Sequence, residues 1–245
     1  MGKKNNEIMP GIRIIGLGLY LEREKTLIIA DLHLGYEEML NKQGILIPRT
    51  NFGRIKKTLE KMLKEVPNLK KIIINGDLKH EFGTISLQEW REVTRMLEFL
   101  QKKCKNISLV KGNHDNILGP LAKWENLKIK GEVYITKGRI LLLHGNKLSN
   151  SENFKKAKTI VIAHEHPAVS LHEGVRSELY KCFLKGRFRG KNLIVMPSLN
   201  AVSAGTNVLR EKLLSPFLQQ DLSDFECWLV EDKAYYFGSL GELNP

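Results

Sequence analysis

Residues 159–168 read TIVIAHEHPA: a run of apolar β-formers that breaks straight into two histidines flanking a glutamate. A short apolar run rich in β-branched residues is the pattern of a strand buried on both faces. If the segment stays extended beyond it, His164 and His166 point the same way and Glu165 the opposite way. Two histidines decide little alone, so the rest of the chain has to be searched for residues that could meet them.

Working outward, the same pattern recurs. TLIIA (26–30) ends at Asp31, and KIIIN (71–75) ends at Gly76-Asp77. ISLV (107–110) runs into KGNHD, and EVYITKGRILLLHG reads as a hairpin turned at Lys137-Gly138 whose second strand ends at His144. A helix is expected from Thr50, with Phe52, Ile55, Leu59, Met62 and Val66 on one face and Pro67 as its stop. A second opens at Ser86, where Glu89 three residues on completes a capping box. NLIVM (192–196) and a closing hairpin, FECWLVEDKAYYFG, follow. This βαβαβ order with later strands predicts an α/β chain, in which ligands bind beyond the carboxyl ends of the strands.

At those ends stand Asp31 and His33, Asp77, Asn113, His114 and Asp115, His144, and His164 and His166. Five of the chain's seven histidines fall in this set, His80 lies three residues past Asp77, and only His172 stands clearly outside. Carboxylate, amide and imidazole form a mixed oxygen and nitrogen set suited to Mn²⁺, Fe or Zn²⁺ rather than Mg²⁺, in sufficient number for two cations.

The order D-x-H, G-D, G-N-H-D, H-G, H-x-H resembles the calcineurin-like metallophosphoesterases. The resemblance implies a four-layer α/β/β/α sandwich, one domain over residues 1–245, with the metal motifs within 31–166 and strands of 190–240 completing it. It also implies two divalent metal ions, Mn²⁺ first with Fe, Zn²⁺ or Co²⁺ as alternatives. Asp31, His33 and His166 would hold one, Asn113, His144 and His164 the other, and Asp77 would bridge them. A water between two cations roughly 3.5–4 Å apart is then the nucleophile of an in-line displacement. His114 would act as the acid or the phosphate contact, oriented by Asp115. Two positions depart from the usual pattern: Ala163 replaces a glycine, and His80 stands where many members carry aspartate. G-D-L-x-H is similar to the SbcD-like repair nucleases, and GDLKHEFG, HEHPAV and MPSLN are similar to archaeal SbcD-related and DNA ligase-associated phosphoesterases. There His80 would lie beside the scissile phosphate, or else bond a metal ligand from behind.

With 245 residues the chain can bury a full core, and no apolar run is long enough to span a membrane. The N-terminal MGKKNNEIMPG has no apolar segment of the signal-peptide kind. Cys104, Cys182 and Cys227 are odd in number and far apart, as in reduced cytoplasmic proteins. A formal charge of +12 favours a polyanion such as nucleic acid. The densest basic stretch, KCFLKGRFRGK, offers Lys181, Lys185, Arg187, Arg189 and Lys191, and reads alternatively as a hairpin turned at Gly186. Arg187 and Arg189, with Arg49 at a helix start, are the weaker substrate-binding candidates. Nucleic acid, a helicase- or ligase-linked repair protein and a second copy of the chain are the partners this reading allows, with no membrane among them. The expected activity is hydrolysis of a phosphodiester in nucleic acid. The alternatives are a small-nucleotide phosphodiesterase, a phosphomonoesterase and an inactive scaffold of the same fold.

Overall fold

Alternate residues of the apolar runs go to opposite sides of two stacked sheets, and this arrangement brings the strand ends together. The computed structural model describes residues 6–83, 85–118, 127–173 and 176–243, without the side chains of 172, 173 and 176. The first sheet carries seven strands side by side in chain order. They are β1 (Glu7–Met9), β2 (Ile12–Ile15), β3 (Gly18–Leu21), β4 (Thr26–Ile29), β5 (Lys71–Asn75), β6 (Ile107–Val110) and β7 (Leu127–Ile129). β1 to β4 form an antiparallel meander, and β4 to β7 are parallel. The helices α1 (Tyr36–Lys42), α2 (Asn51–Glu65) and α3 (Leu87–Lys103) lie in the crossovers. Because β4, β5 and β6 run the same way, Asp31, Asp77 and Asn113 emerge at one edge.

The second sheet contains β8 (Val133–Ile135), β9 (Ile140–Leu143), β10 (Thr159–Ile162), β11 (Pro167–Glu173), β12 (Arg176–Phe188), β13 (Lys191–Val195), β14 (Thr206–Asn207), β15 (Glu226–Val230) and β16 (Ala234–Ser239). β9, β10 and β13 are parallel neighbours, so His144, His164 and Ser198 also leave one edge. Two short helices, α4 (Glu152–Lys156) and α5 (Leu240–Leu243), lie on this half.

Strand periodicity sorts the core into three layers. Ile72, Ile74, Ile107 and Leu109 face Ile55, Leu59, Val93 and Leu97 of α2 and α3. Ile28, Ile73 and Val110 of the first sheet meet Leu142, Val161, Ile194 and Trp228 of the second. Leu141, Leu143, Ile160 and Ile162 point outward against Phe154, Phe217, Phe225 and Leu240. This outermost layer is thin, because α4, α5 and irregular chain cover it. Buried Asn75 joins the sheets at the edge that bears the ligands: its Nδ2 donates to the Leu143 carbonyl at 3.1 Å.

Two local expectations are corrected. Gly186 is not a turn. It sits inside the thirteen-residue β12, where a side chain would run into the Phe225 ring. The reversal comes at Arg189-Gly190, both at positive φ (48° and 77°), between the paired residues Phe188 and Lys191. The capping box at α3 is half formed. Ser86 Oγ accepts the Glu89 N–H at 3.1 Å, but the Glu89 carboxylate turns away to accept the N–H groups of His80 and Glu81, each at 2.8 Å.

Candidate metal centre

Asp31 follows β4 at φ 52°, with its N–H donated to the Gly76 carbonyl at 3.1 Å. Asp77 at 49°, His33 at 45°, His164 at 65° and His166 at 51° share the left-handed conformation. The segment 164–166 is therefore not extended as the sequence suggested; left-handed turns, not strand alternation, aim the two imidazoles. Such a conformation costs an L-residue roughly 1 kcal/mol or more, and clusters of them mark sites where geometry is imposed.

Two sets of donor atoms that include a carboxylate lie together, each within 4.8 Å: Asp31, His33 and His166 in one, Asp77, His144 and His164 in the other; a third set, of imidazoles alone, joins His33 to His80 and His114. In the first, His166 Nε2 lies 3.4 Å from Asp31 Oδ2 and 3.3 Å from His33 Nε2. In the second, His144 Nε2 lies 3.1 Å from both Asp77 Oδ2 and His164 Nδ1. Asp77 Oδ2 is also 3.6 Å from His33 Nε2, so this carboxylate reaches both sets. Asp31 Oδ1, Asn113 Oδ1 and His144 Nδ1 are buried and have no hydrogen-bond partner. Unpartnered buried acceptors and imidazole nitrogens that face one another are costly without a cation between them, and divalent metals fit this donor set. Two glycines make room for the ligands themselves. A Cβ on Gly76 would overlap the His144 ring, and one on Gly112 would overlap the Asp77 carboxylate.

The electrostatics follow from the same packing. Burial works against charge on both members of the Asp77–His144 pair. Their hydrogen bond and mutual attraction prevail, holding the Asp77 carboxyl well below the usual range and raising His144 to about 9. Burial, joined by the charge of His144, pushes His164 down to about 4, and burial also pushes His33 well down. A metal requires the neutral imidazole, so His144 must lose its proton when a cation enters.

His114 stands beside the two sets. Its N–H donates to Asp77 Oδ1 at 3.0 Å, its Nδ1 donates to the His80 carbonyl, and its Nε2 lies 3.8 Å from Asp77 Oδ2. Asp115 does not orient this imidazole, contrary to expectation. Its buried carboxylate accepts from Leu78 N at 3.1 Å and Gly112 N at 3.0 Å and so fixes the G-N-H-D turn. Burial and the neighbouring charge of Asp77 raise the pKa of the Asp115 carboxyl to about 6. His80 bonds a candidate ligand from behind, Nδ1 to His33 Nδ1 at 3.1 Å, and stacks on His114 with ring centres 5.0 Å apart. Glu165 stays out of both sets and accepts from Leu214 N and Ser215 N.

The remaining candidates are not brought together with these. Arg49 is exposed and does not line the cleft of about 240 Å³ that holds His33, Asp77, His80, His114, His164 and His166. Arg187 and Arg189 lie beside the start of β13, and β13 starts beside Thr159 at the start of β10, so they occupy the opposite end of the sheet from His164. That is roughly 15 Å along the strand. The basic stretch is not one surface. Lys185 pairs with Glu226, Lys191 donates to the Ala157 carbonyl at 2.7 Å, and the half-buried Lys181 donates to Ser198 O at 2.8 Å and to Asn200 O. Sequence reasoning placed Lys181 on a basic surface; it instead braces the loop whose Ser198 Oγ and Asn200 N–H donate to the Asp31 carbonyl at 2.8 and 3.0 Å. Sequence reasoning missed Tyr36 and Phe82, whose rings lie 4.5 Å from His80 and 3.8 Å from His114. Their sole signal was proximity to D-L-H and G-D-L-K-H.

The family model for calcineurin-like phosphoesterases matches residues 24–201, which contain every residue of both donor sets. The chain belongs to the calcineurin-like phosphoesterase family. This family binds divalent metals, as the donor sets require. Among solved structures, nuclease MPE of Pseudomonas putida is similar in fold, with a TM-score of 0.65 and 15% identity over 92% of this chain and 94% of that one. Yfce, a phosphoesterase from E. coli, is 14% identical over 82% of this chain and 86% of that one, with a TM-score of 0.38. No curated protein matches the chain by sequence. Among the described residues no helix is long and apolar enough to cross a membrane.

Proposed function

We propose that this calcineurin-like phosphoesterase is a two-metal phosphodiesterase that cleaves nucleic acid, of the SbcD-related kind that G-D-L-K-H resembles. The observation that carries the reading is the convergence of two donor sets on Asp77, with His114 beside them and His33, Asp77, His114, His164 and His166 facing one cleft. Asp31, His33 and His166 would hold one cation, Asn113, His144 and His164 the other, and Asp77 both. When bound, the cations supply Lewis acidity toward the phosphoryl group and a nucleophilic water at neutral pH.

The chain's own residues do the rest. Asp77 fixes His114 through the backbone N–H, and the His80 carbonyl occupies Nδ1–H. His114 is left with Nε2 to face the substrate, so it protonates a leaving oxygen only as the imidazolium. Burial lowers its proton affinity, and an adjacent phosphate opposes that effect. The net charge of +12 and the nuclease activity named for the similar Pseudomonas structure support a nucleic-acid substrate.

The test is a matrix of Mn²⁺, Fe²⁺, Zn²⁺ and Co²⁺ against single- and double-stranded DNA, RNA, cyclic nucleotides and an aryl phosphodiester. Cleavage of an oligonucleotide that depends on added metal is the expected result. Turnover of cyclic nucleotides or phosphomonoesters alone would replace the nuclease reading with the small-nucleotide one.

A further inference from the structure

Phe82 is the one exposed large apolar side chain in the G-D-L-K-H-E-F segment, at 57% exposure, whereas Leu78 is buried in the core. Its ring centre lies 3.8 Å from that of His114, tilted by 31°; His114 stacks on His80, and His80 meets Tyr36 edge-on. A column of four rings therefore runs along the candidate catalytic residues, with its outer end open to solvent. The segment is held firmly. Glu89 accepts the N–H groups of His80 and Glu81, the buried Lys79 ammonium donates to the Glu81 carbonyl, and Lys42 Nζ lies 3.9 Å from the Glu81 carboxylate. An aromatic face that is rigid before binding loses little conformational freedom when a planar group settles on it. Solvent exposure of a phenylalanine on a fixed loop, against the ring of the residue that would touch the leaving group, has no explanation in core packing.

We infer that Phe82 is a stacking platform for the nucleobase next to the scissile phosphate. The inference rests on the phosphodiesterase reading above and names the feature of the substrate that this site selects. A base reaches the outer face of Phe82 only when it is unstacked from its neighbours, so the platform favours unpaired strands and frayed ends over continuous duplex. Stacking is indifferent to base identity, because every base presents a π-face.

The test is a cycle of two changes: Phe82→Leu in the protein, and removal of one base from a short single strand with a single cleavage position. Abasic residues are placed in turn on either side of the scissile phosphate. With the wild-type protein, one of the two abasic strands loses roughly 5- to 150-fold in kcat/KM. Phe82→Leu loses a similar factor on the intact strand and no longer distinguishes it from that abasic strand, and Phe82→Trp restores the distinction. Equal slowing of intact and abasic strands by Phe82→Leu would overturn the inference, since Phe82 would then act only by holding His114. Equal cleavage of all strands by the wild-type protein would overturn it too. If the wild-type protein cleaves no strand with any metal, the nucleic-acid reading itself has failed; cleavage that ignores the missing base refutes the platform alone.

Discussion

At the scale of single residues, His114 divides the account most sharply. It belongs to neither of the carboxylate-bearing donor sets, and its ring and backbone are fixed by Asp77 and His80. His114→Ala is expected to keep its metal and lose about 10²- to 10⁴-fold in turnover, the usual contribution of a positioned acid. The loss should shrink for a nitrophenolate leaving group, which departs without a proton. The pH profile carries the same signature. Since Nδ1–H is committed to a carbonyl, only the imidazolium donates, and its population falls as pH rises. Rates on alkoxide leaving groups should therefore decline at high pH where rates on nitrophenolate do not. Loss of metal from His114→Ala, measured by elemental analysis, would contradict the assignment. Much of this was legible in the sequence, because each ligand type ends a buried apolar run and such runs advertise themselves. The role of Asp115 was not. Its carboxylate serves two backbone N–H groups, one of them 37 residues away in sequence, and only the folded turn brings them together.

At the scale of elements, the turns behind the ligands are as specific as the ligands. Gly112→Ala places a methyl group against the Asp77 carboxylate. It is expected to lower bound metal and cut turnover by about 100-fold or more, as displacement of a catalytic group by an ångström does. Circular dichroism should show the fold retained. Conversely, Arg187→Gln with Arg189→Gln is expected to change kcat/KM on an oligonucleotide by less than about twofold, because the β12–β13 turn sits at the far end of the sheet. A salt-dependence plot whose slope falls in that variant would show that nucleic acid does reach this turn. The error over Gly186 has a physical origin. Glycine is the commonest turn signal, but here it admits the Phe225 ring against a strand, a contact invisible from sequence. The meander of β1 to β3 went unread because its strands are three or four residues long and show no clean alternation. The parallel strands β4, β5, β6, β10 and β13, apolar on both faces, were read within a residue, whereas β7, a parallel edge strand of three residues, was not.

At the scale of the whole molecule, two sheets hold a set of buried donors whose unpartnered lone pairs a cation would satisfy. Saturating Mn²⁺ at about a hundred times its dissociation constant should add about 2.7 kcal/mol, or roughly 5–10 °C in Tm for a chain of this size. At a fixed Mn²⁺ concentration the increment should depend on pH, because protons compete for His144. The raised proton affinity of His144 stabilises the metal-free fold fully below its ordinary value of 6.5, and that contribution disappears as pH rises through about 9. The metal-bound fold keeps His144 neutral throughout, so the metal-induced rise in Tm should grow between pH 6.5 and 9. A rise independent of pH in calorimetry would place the cation elsewhere.

The most direct measurement is a stoichiometric titration of activity. The chain is stripped with a chelator, then returned to Mn²⁺ in fractions of an equivalent while cleavage of a labelled single strand is followed. The expected result is no cleavage in the stripped protein, a plateau at two equivalents per chain, and no recovery in Asp77→Asn. Cleavage that survives stripping, or full recovery in Asp77→Asn, would contradict it.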